Sequence, residues 1–302
     1  QTSMWLSLAF LSAALLGLYD VAKKQALKCN SVPVVLLLNT TISTLLFLPI
    51  VISAECDLGW FAGSIFDVEP QPLRVHLLII LKSAIVLSSW IFGYFGIKHL
   101  PLTIVGPINA TRPVMVLVGA FIVFGERLNL WQWVGVLLAI VSFFLLSRSG
   151  RKEGIDFKHN RWIWMVVLSA MMGAISGLYD KYLMAPVTEG GIGLDRMAVQ
   201  SWYNIYQCFM MGAMLLLLWW PRRKQTTPFS WHWSIICVSI FLSIADFAYF
   251  YSLSLPDAMI SIVSMVRRGS VLVSFVFGAM LFHEKNLRAK AFDLLLILLG
   301  LL

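Results

Sequence analysis

The chain alternates between long apolar stretches and short polar connections. The apolar stretches continue for about twenty residues without the one-in-two alternation of a membrane strand, which predicts membrane-spanning helices. The last stretch is shorter than the roughly 20 residues that cross a bilayer, so we expect the native chain to continue past Leu302. The pattern predicts an all-α polytopic membrane protein with ten transmembrane helices, at residues 4–25, 31–53, 74–97, 102–124, 128–147, 161–184, 197–220, 231–253, 257–282 and 289–302.

Composition agrees with this pattern. The chain is 59% hydrophobic and 13% charged, whereas soluble domains carry roughly a quarter of charged residues. The net charge of +8 comes from basic residues that lie mostly between the apolar stretches, as insertion topology requires, so no nucleic-acid partner is predicted. The cysteines form no CxxC pair, and we predict no metal site.

An internal repeat divides the chain into two halves. The sequence GLYD occurs at residues 17–20 and again at residues 177–180, each time late in the first span of its half. Three further features recur in the same order, namely a tyrosine before a proline, an intramembrane arginine and a glutamate at the span end (Tyr94, Pro101, Arg112 and Glu126; Tyr249, Pro256, Arg267 and Glu284). We therefore predict five-helix repeats at residues 1–147 and 161–302, joined by a basic linker at residues 148–160.

With five spans in each half, the second repeat must insert upside down relative to the first. Inverted repeats with a site near the bilayer midplane are an architecture of transporters. A fused pair of scaffold bundles is the alternative. The repeat therefore indicates a transport function more strongly than a structural one.

The order of these motifs resembles the drug/metabolite transporter superfamily, specifically its ten-span EamA-like branch. The resemblance depends on the five-plus-five arrangement, the short turns at Pro101 and Pro256, and the span endings at Glu126 and Glu284. It implies a secondary transporter with a central cavity, no cofactor and a location in a bacterial inner (plasma) membrane. The sequence contains no GxxxxGK[ST] phosphate loop, as expected for a transporter without an ATP-binding part.

The distribution of Lys and Arg predicts the orientation. Most of these residues lie in the odd-numbered connections, whereas the even-numbered connections carry more acidic residues. The positive-inside rule then places the odd-numbered connections in the cytoplasm and both termini outside. Members of the family that the chain resembles usually keep their termini inside, and we follow the charge distribution here.

Three arginines, Arg112, Arg267 and Arg268, lie near the middle of the fourth and ninth spans. An ionisable side chain at that depth costs about 2.5–3.5 kcal/mol, so each needs a specific role. Arginine binds phosphate or carboxylate through two parallel hydrogen bonds and stays protonated when buried. With the polar Asn109 beside Arg112, these residues predict a binding site for a small organic anion.

A second interpretation pairs the arginines with acidic residues inside the membrane. Neighbouring helical residues diverge by about 100°, so Arg267 and Arg268 cannot both face one point, and one can bind while the other is paired. The candidate partners are four aspartates, of which the last is the weakest: Asp20, Asp180, Asp246 and Asp293.

The intramembrane arginines also resemble the basic residues of plastid sugar-phosphate translocators and their nucleotide-sugar relatives. Those families have a basic residue in the fourth span and a Lys-Arg pair in the ninth. Arg112 and the pair Arg267-Arg268 lie at matching places, with Arg where those families often have Lys. This resemblance favours a phosphorylated or carboxylated substrate.

Acidic residues at the ends of the repeated motif are candidates for gating or coupling. Inversion places Asp20 and Asp180 near opposite membrane faces. Lys23 and Lys24 follow Asp20 by three and four residues, which is close enough to pair on one helix face. We assign Asp20, Lys24, Asp180 and Asp246 to gating or proton uptake; snorkelling of the lysines to the interface is the alternative.

Further polar and aromatic residues are candidates for the cavity wall. Tyr94 and Tyr249 recur by symmetry, and Asn204 and Gln207 lie one turn apart on the seventh span. Asn39 is a similar candidate on the second span. Packing against other helices is the alternative interpretation for each of them.

The sequence thus predicts a secondary transporter that moves a small organic anion by alternating access. A proton-coupled exporter of amino acids or drugs and a lipid-phosphate flippase are the alternatives. The expected partners are a small-molecule substrate and membrane lipid, with the chain acting as a monomer or a homodimer. The histidines are scattered and no HExxH or nucleophile elbow occurs, so we predict no catalytic residues and no enzyme.

Overall fold

The fold was examined in a computed structural model. It describes residues 2–64, 66–112, 114–115, 118, 121–122, 127, 129–184, 187, 192–222, 224–225, 228–254, 266–267 and 269–301. Regular structure within these residues is helical, without a strand, so the all-α fold class is confirmed. The predictions for Arg268, Glu126 and Pro256, and for the side chain of Asp180, lie outside the described residues.

The helices follow the predicted apolar stretches. We number them α1 (Thr2–Leu27), α2 (Val32–Glu55), α3 (Leu73–His99), α4 (Leu102–Ala110), α5 (Leu130–Lys152), α6 (Arg161–Met184), α7 (Arg196–Met214), α8 (Ser234–Ser254), α9 (Ser270–Leu281) and α10 (Leu287–Leu301). Helix α7 continues through a π-helical turn at Leu215–Trp219 and a 3₁₀ turn at Trp220–Arg222.

Four helices of the described residues are long and apolar enough to cross a membrane: α1 from Met4, α2, α3, and α6 as far as Tyr179. Their hydrophobic surfaces suit lipid, since Phe10, Leu45 and Leu77 are all more than half exposed. Water would make such exposure unfavourable over so wide an area. The chain is therefore an integral membrane protein, and the number of ten spans stays a prediction.

Helices of one half pack mainly against helices of the other. Helix α1 lies along α8 and α3 lies along α6, while α2 contacts α7, α4 contacts α9 and α5 contacts α10. In the predicted repeat, α1 to α5 correspond to α6 to α10. Exchanging corresponding helices converts the α1–α8 pair into the α6–α3 pair and gives the other three pairs again. The packing therefore favours the predicted repeat; the inversion of the second half stays a prediction.

The connections after α1, α3, α5, α7 and α9 lie together, on what we call the odd face. The Asn30 amide donates to the Ser230 backbone carbonyl at 2.7 Å, which joins the connections after α1 and α7. The Lys24 ammonium donates to the Leu100 carbonyl at 2.7 Å, and the Glu284 carboxylate accepts the first amides of α4 at 2.6 and 2.8 Å. This grouping is expected when successive helices cross the membrane in alternating directions.

The basic linker is shorter than predicted. Helix α5 continues to Lys152, so the first part of the predicted 148–160 linker is helical. Its last turn is held by packing, since a Cβ added at Gly150 would lie 2.7 Å from the Phe157 ring. In the exposed loop that follows, the hydrogen bond from His159 lowers the pKa of Asp156.

Candidate functional site

Arg112 lies inside the helical bundle, just after the end of α4. Its position is about 15 Å along the helix from Leu102, at 1.5 Å per residue. The guanidinium lies against α6, where a Cβ added at Gly173 would be 2.7 Å from the Arg112 Cζ atom. Within the described residues, no carboxylate forms an ion pair with Arg112, and its buried Nε has no hydrogen-bond partner.

Arg267 differs from Arg112 because it has a counter-ion. Its guanidinium forms an ion pair with Asp246 of α8 and lies 4.1 Å from the centre of the Tyr249 ring. The side chains of Arg267 and Asp246 remain 24% and 15% exposed. The structure thus pairs Arg267 with an acid and leaves Arg112 without such a pair among the described residues.

The first GLYD motif positions a second ion pair. Lys23 lies 3.1 Å from the Asp20 carboxylate, and its Nζ atom is 4.2 and 5.3 Å from the centres of the Tyr19 and Tyr94 rings. Lys24 does not join this pair. It donates instead to backbone carbonyls at the end of α3, at 2.8 and 2.7 Å, because adjacent residues of α1 point in different directions.

Tyr94 closes a chain of hydrogen bonds across four helices. Its hydroxyl accepts a bond of 2.9 Å from the Asn39 amide and lies 3.4 Å from the Tyr19 hydroxyl. The Ser239 hydroxyl donates to the Asn39 side-chain oxygen at 2.8 Å. We call Tyr19, Asn39, Tyr94 and Ser239 the tyrosine layer. Tyr94 is only 1% exposed, and the other three members of this layer are also buried.

The charged residues of the two halves form one electrostatic group, which we call the central cluster: Asp20, Lys23, Arg112, Asp246 and Arg267. Arg112 is attracted by Asp20 and repelled by Arg267, and Lys23 is repelled by Arg112. The group holds three cations against two carboxylates. In the usual ionised forms one positive charge therefore remains without compensation within this group, and the ion pairs assign it to Arg112.

Polar atoms without partners lie close to Arg112 and also elsewhere inside the bundle. The buried side-chain oxygen of Asn109, about one turn before Arg112, has no hydrogen-bond partner among the described residues. Gln207 is fully buried, and neither end of its amide has a partner there. Asn204 donates to the carbonyl of Gln200 on its own helix. Buried polar groups normally bond to protein or to water, so the unpaired atoms are places where water or a polar ligand can bind.

Two interior residues were not assigned by sequence reasoning. Tyr19 belongs to the repeated motif, and that repetition was the available signal. Lys82 of α3 is only 6% exposed, and its Nζ atom lies 4.9 Å from the centre of the Tyr203 ring. A lysine within an apolar stretch is as costly as an arginine, and that cost was the signal that could have identified Lys82.

The chain is similar in sequence to one transporter family and in fold to a solved structure. Residues 3–148 match the sequence model of the EamA-like transporter family, which confirms the resemblance over the first half. No curated protein is significantly similar to the chain. A solved structure titled only "Crystal structure of protein" has 16% identity and a TM-score of 0.60, covering 100% of this chain and 96% of the other. At that identity the likeness shows a common fold alone.

Proposed function

From the premise that its first half matches a family of drug/metabolite membrane transporters, we propose that this chain is a secondary transporter of a small organic anion. The substrate carries a phosphate or carboxylate and moves by alternating access through the central cluster. Arg112 binds the anion, Arg267 assists it, and Asn109 and Gln207 offer polar contacts. The chain acts in a bacterial inner membrane.

The observation that carries this proposal is the contrast between Arg112 and Arg267. A buried guanidinium is costly unless its charge is compensated. Asp246 compensates Arg267, whereas no described carboxylate is paired with Arg112. A phosphate or carboxylate group supplies the charge and the two acceptor oxygens that fit a guanidinium fork. An anionic substrate therefore explains why the cation is kept at this depth.

Alternating access is supported by the positions of the two GLYD motifs. The Tyr19 hydroxyl lies against Tyr94, near the end of α3. The Tyr179 hydroxyl donates to the Leu78 carbonyl at 3.0 Å, near the beginning of the same helix. At 1.5 Å per residue, these two places on α3 are about 24 Å apart. The repeated motifs thus contact opposite ends of one helix, where two gates of a transport cycle are needed.

The proton-coupled alternative ranks second because of the same ion pairs. Asp20 is paired with Lys23 and Asp246 with Arg267. A proton that binds either carboxylate must break an ion pair in this conformation, whereas an anion that binds Arg112 breaks none among the described residues. This comparison favours anion exchange.

Ligand-dependent thermal stability tests the proposal directly. A ligand at about a hundredfold excess over its dissociation constant stabilises the folded state by about 2.7 kcal/mol. We expect phosphorylated or carboxylated metabolites to raise the melting temperature of the purified protein, and neutral or cationic compounds to leave it unchanged. In proteoliposomes, uptake of a hit should depend on anion on the opposite side. Stabilisation only by neutral or cationic compounds, or uptake driven by a pH gradient alone, would contradict the proposal.

Moving the Arg112 guanidinium without removing its charge gives a second test. In Gly173→Ala the new Cβ would lie 2.7 Å from Cζ and 2.8 Å from Nη1, so this flexible end must shift. We expect normal folding and a transport loss of roughly 10- to 100-fold, since a displacement of about 1 Å can cost that much. The control is Gly212→Ala in α7, where a Cβ meets only Leu37 Cδ1, at an ordinary 3.9 Å. Equal transport by both variants would show that the position of the guanidinium is unimportant.

A further inference from the structure

A groove lies outside the bundle between the end of α5 and the beginning of α10. Its volume is about 390 Å³, and it is far from the central cluster because it opens at the odd face. The lining combines three cationic side chains with apolar ones: Arg148, Arg151, Lys152, Leu145, Ala289 and Phe292. Ser149 and Asp293 complete it. A cleft that is basic at one end and apolar at the other differs from an ordinary solvated helix end.

The three cations share one face of α5. Arg148, Arg151 and Lys152 are spaced at i, i+3 and i+4, which brings their side chains together on the helix surface. All three are exposed, and none forms an ion pair with a described residue. Insertion topology requires basic residues on one side of the membrane, but it does not require them to surround a groove.

The acidic residues near the groove are already engaged. Asp293 is 2% exposed, and its carboxylate accepts a hydrogen bond of 3.3 Å from Ser149. Glu153 pairs with the fully buried Lys290 at 2.7 Å. Asp156 interacts with His159 at 2.7 Å and only more remotely with Arg151. With three cations against the one carboxylate of Asp293 in its lining, the groove keeps a net positive charge for a ligand.

The apolar part of the groove faces the membrane. Phe292 is 55% exposed, and Leu145 lies about one turn deeper than Arg148. The last turn of a membrane-spanning helix lies at the level of the lipid headgroups, where arginine and lysine meet phosphate. The groove thus presents cations at headgroup level and apolar side chains at acyl-chain level.

We infer that this groove binds the headgroup of one anionic phospholipid, with phosphate on Arg148, Arg151 and Lys152 and an acyl chain on Leu145 and Phe292. The bound lipid bridges α5 and α10, the last helices of the two halves. The site is independent of the transported substrate, since it requires only that the chain be embedded in a membrane. Charge complementarity selects an anionic lipid over a zwitterionic one.

Native mass spectrometry in detergent doped with phosphatidylglycerol or phosphatidylcholine tests this site. We expect the wild type to retain one phosphatidylglycerol in preference to phosphatidylcholine. Each cation near an anionic lipid contributes about 1 kcal/mol, so Arg148→Gln/Arg151→Gln/Lys152→Gln should weaken retention by roughly 100-fold. The matched control, Arg222→Gln/Lys224→Gln/Lys285→Gln, removes three exposed cations elsewhere on the odd face and should retain the lipid.

A second variant keeps the charges and fills the groove. Ala289→Phe adds a ring inside the lining and should also lose the retained lipid, which checks the result if the triple variant folds poorly. If the groove triple variant and the control triple variant lose phosphatidylglycerol equally, retention depends on overall surface charge and the proposed site is wrong. Competition by inorganic phosphate as effective as by lipid would assign a free-phosphate site instead. If the wild type retains no lipid but forms a dimer, and the triple variant is a monomer, the groove binds a second copy of the chain instead.

Discussion

Replacing Arg112 by glutamine is expected to abolish transport while the helical bundle stays folded. Loss of a desolvated, hydrogen-bonded charge partner costs about 2–5 kcal/mol of binding free energy, which corresponds to a roughly 30- to 4,000-fold weaker substrate interaction. The folded state should be unchanged or stabilised, because no described carboxylate loses its ion-pair partner. Transport in proteoliposomes and thermal unfolding in detergent measure the two effects separately.

Arg267→Gln is the comparison for the stability measurement only, because Arg267 is also proposed to assist the anion. It removes an arginine from the same cluster and with it the ion pair that Arg267 forms with the Asp246 carboxylate. Breaking a fully buried ion pair costs about 3–5 kcal/mol of stability, and we expect a smaller loss here because both side chains are partly exposed. The double variant Arg267→Gln/Asp246→Asn should recover most of that stability, since neither charge remains.

Two results for Arg112→Gln would contradict the assignment of Arg112 to the anion site. If Arg112→Gln lowers the melting temperature as much as Arg267→Gln does, Arg112 is held by a structural ion pair. If Arg112→Gln is stable and still transports at the wild-type rate, the substrate does not use its charge. Arg112→Lys refines a positive result, because lysine keeps the charge and loses the planar fork that binds two oxygens.

Replacing Lys290 by methionine is expected to lower the free energy of unfolding by about 3–5 kcal/mol. Lys290 is fully buried near the odd face and donates to Thr103 Oγ1 and to Glu153, each at 2.8 Å. Methionine fills similar space but leaves the Glu153 carboxylate, of which only 10% is exposed, without its cation. The contacts that join α10, the start of α4 and the end of α5 are lost together. Denaturant titration of the detergent-solubilised protein measures the change.

Two variants control for this effect. Lys290→Met/Glu153→Gln removes both charges and should recover most of the lost stability, because replacing a whole buried pair is often close to neutral. Lys158→Met removes an exposed lysine of the nearby loop and should change the free energy of unfolding by no more than about 0.5 kcal/mol. A Lys290→Met variant as stable as Lys158→Met would show that the buried pair does not hold the odd face together.

The helical class and the helix positions could be predicted from the sequence because they depend on local order. In a bilayer the backbone must satisfy its own hydrogen bonds, so a long apolar run specifies a helix whatever its neighbours are. The exact residues at which helices end depend more on tertiary contacts than on the local sequence. The turn at residues 148–152 is polar and was predicted as linker, but packing of Gly150 against Phe157 and the bond from Ser149 to Asp293 keep it helical.

The sequence by itself determined which residues are unusual. The repeated GLYD motif, the intramembrane Arg112 and Arg267, and the acidic Asp20 and Asp246 all stand out because charge and repetition are rare in apolar segments. It also limited the alternatives to anion binding or internal pairing for each arginine. That limit comes from the cost of burying a charge, which depends on depth and not on the tertiary arrangement.

Only the tertiary structure showed which arginine has an acidic partner among the described residues. Arg267 faces Asp246, whereas Arg112 faces the Cβ-free surface of Gly173. Lys23 and not Lys24 pairs with Asp20, since one residue turns a helix by about 100°. Even the motif glycines differ, because a Cβ at Gly17 would lie 2.5 Å from Val273 and one at Gly177 would contact nothing. Partners come from helices distant in sequence, and their rotation and spacing are set by packing that no local pattern records.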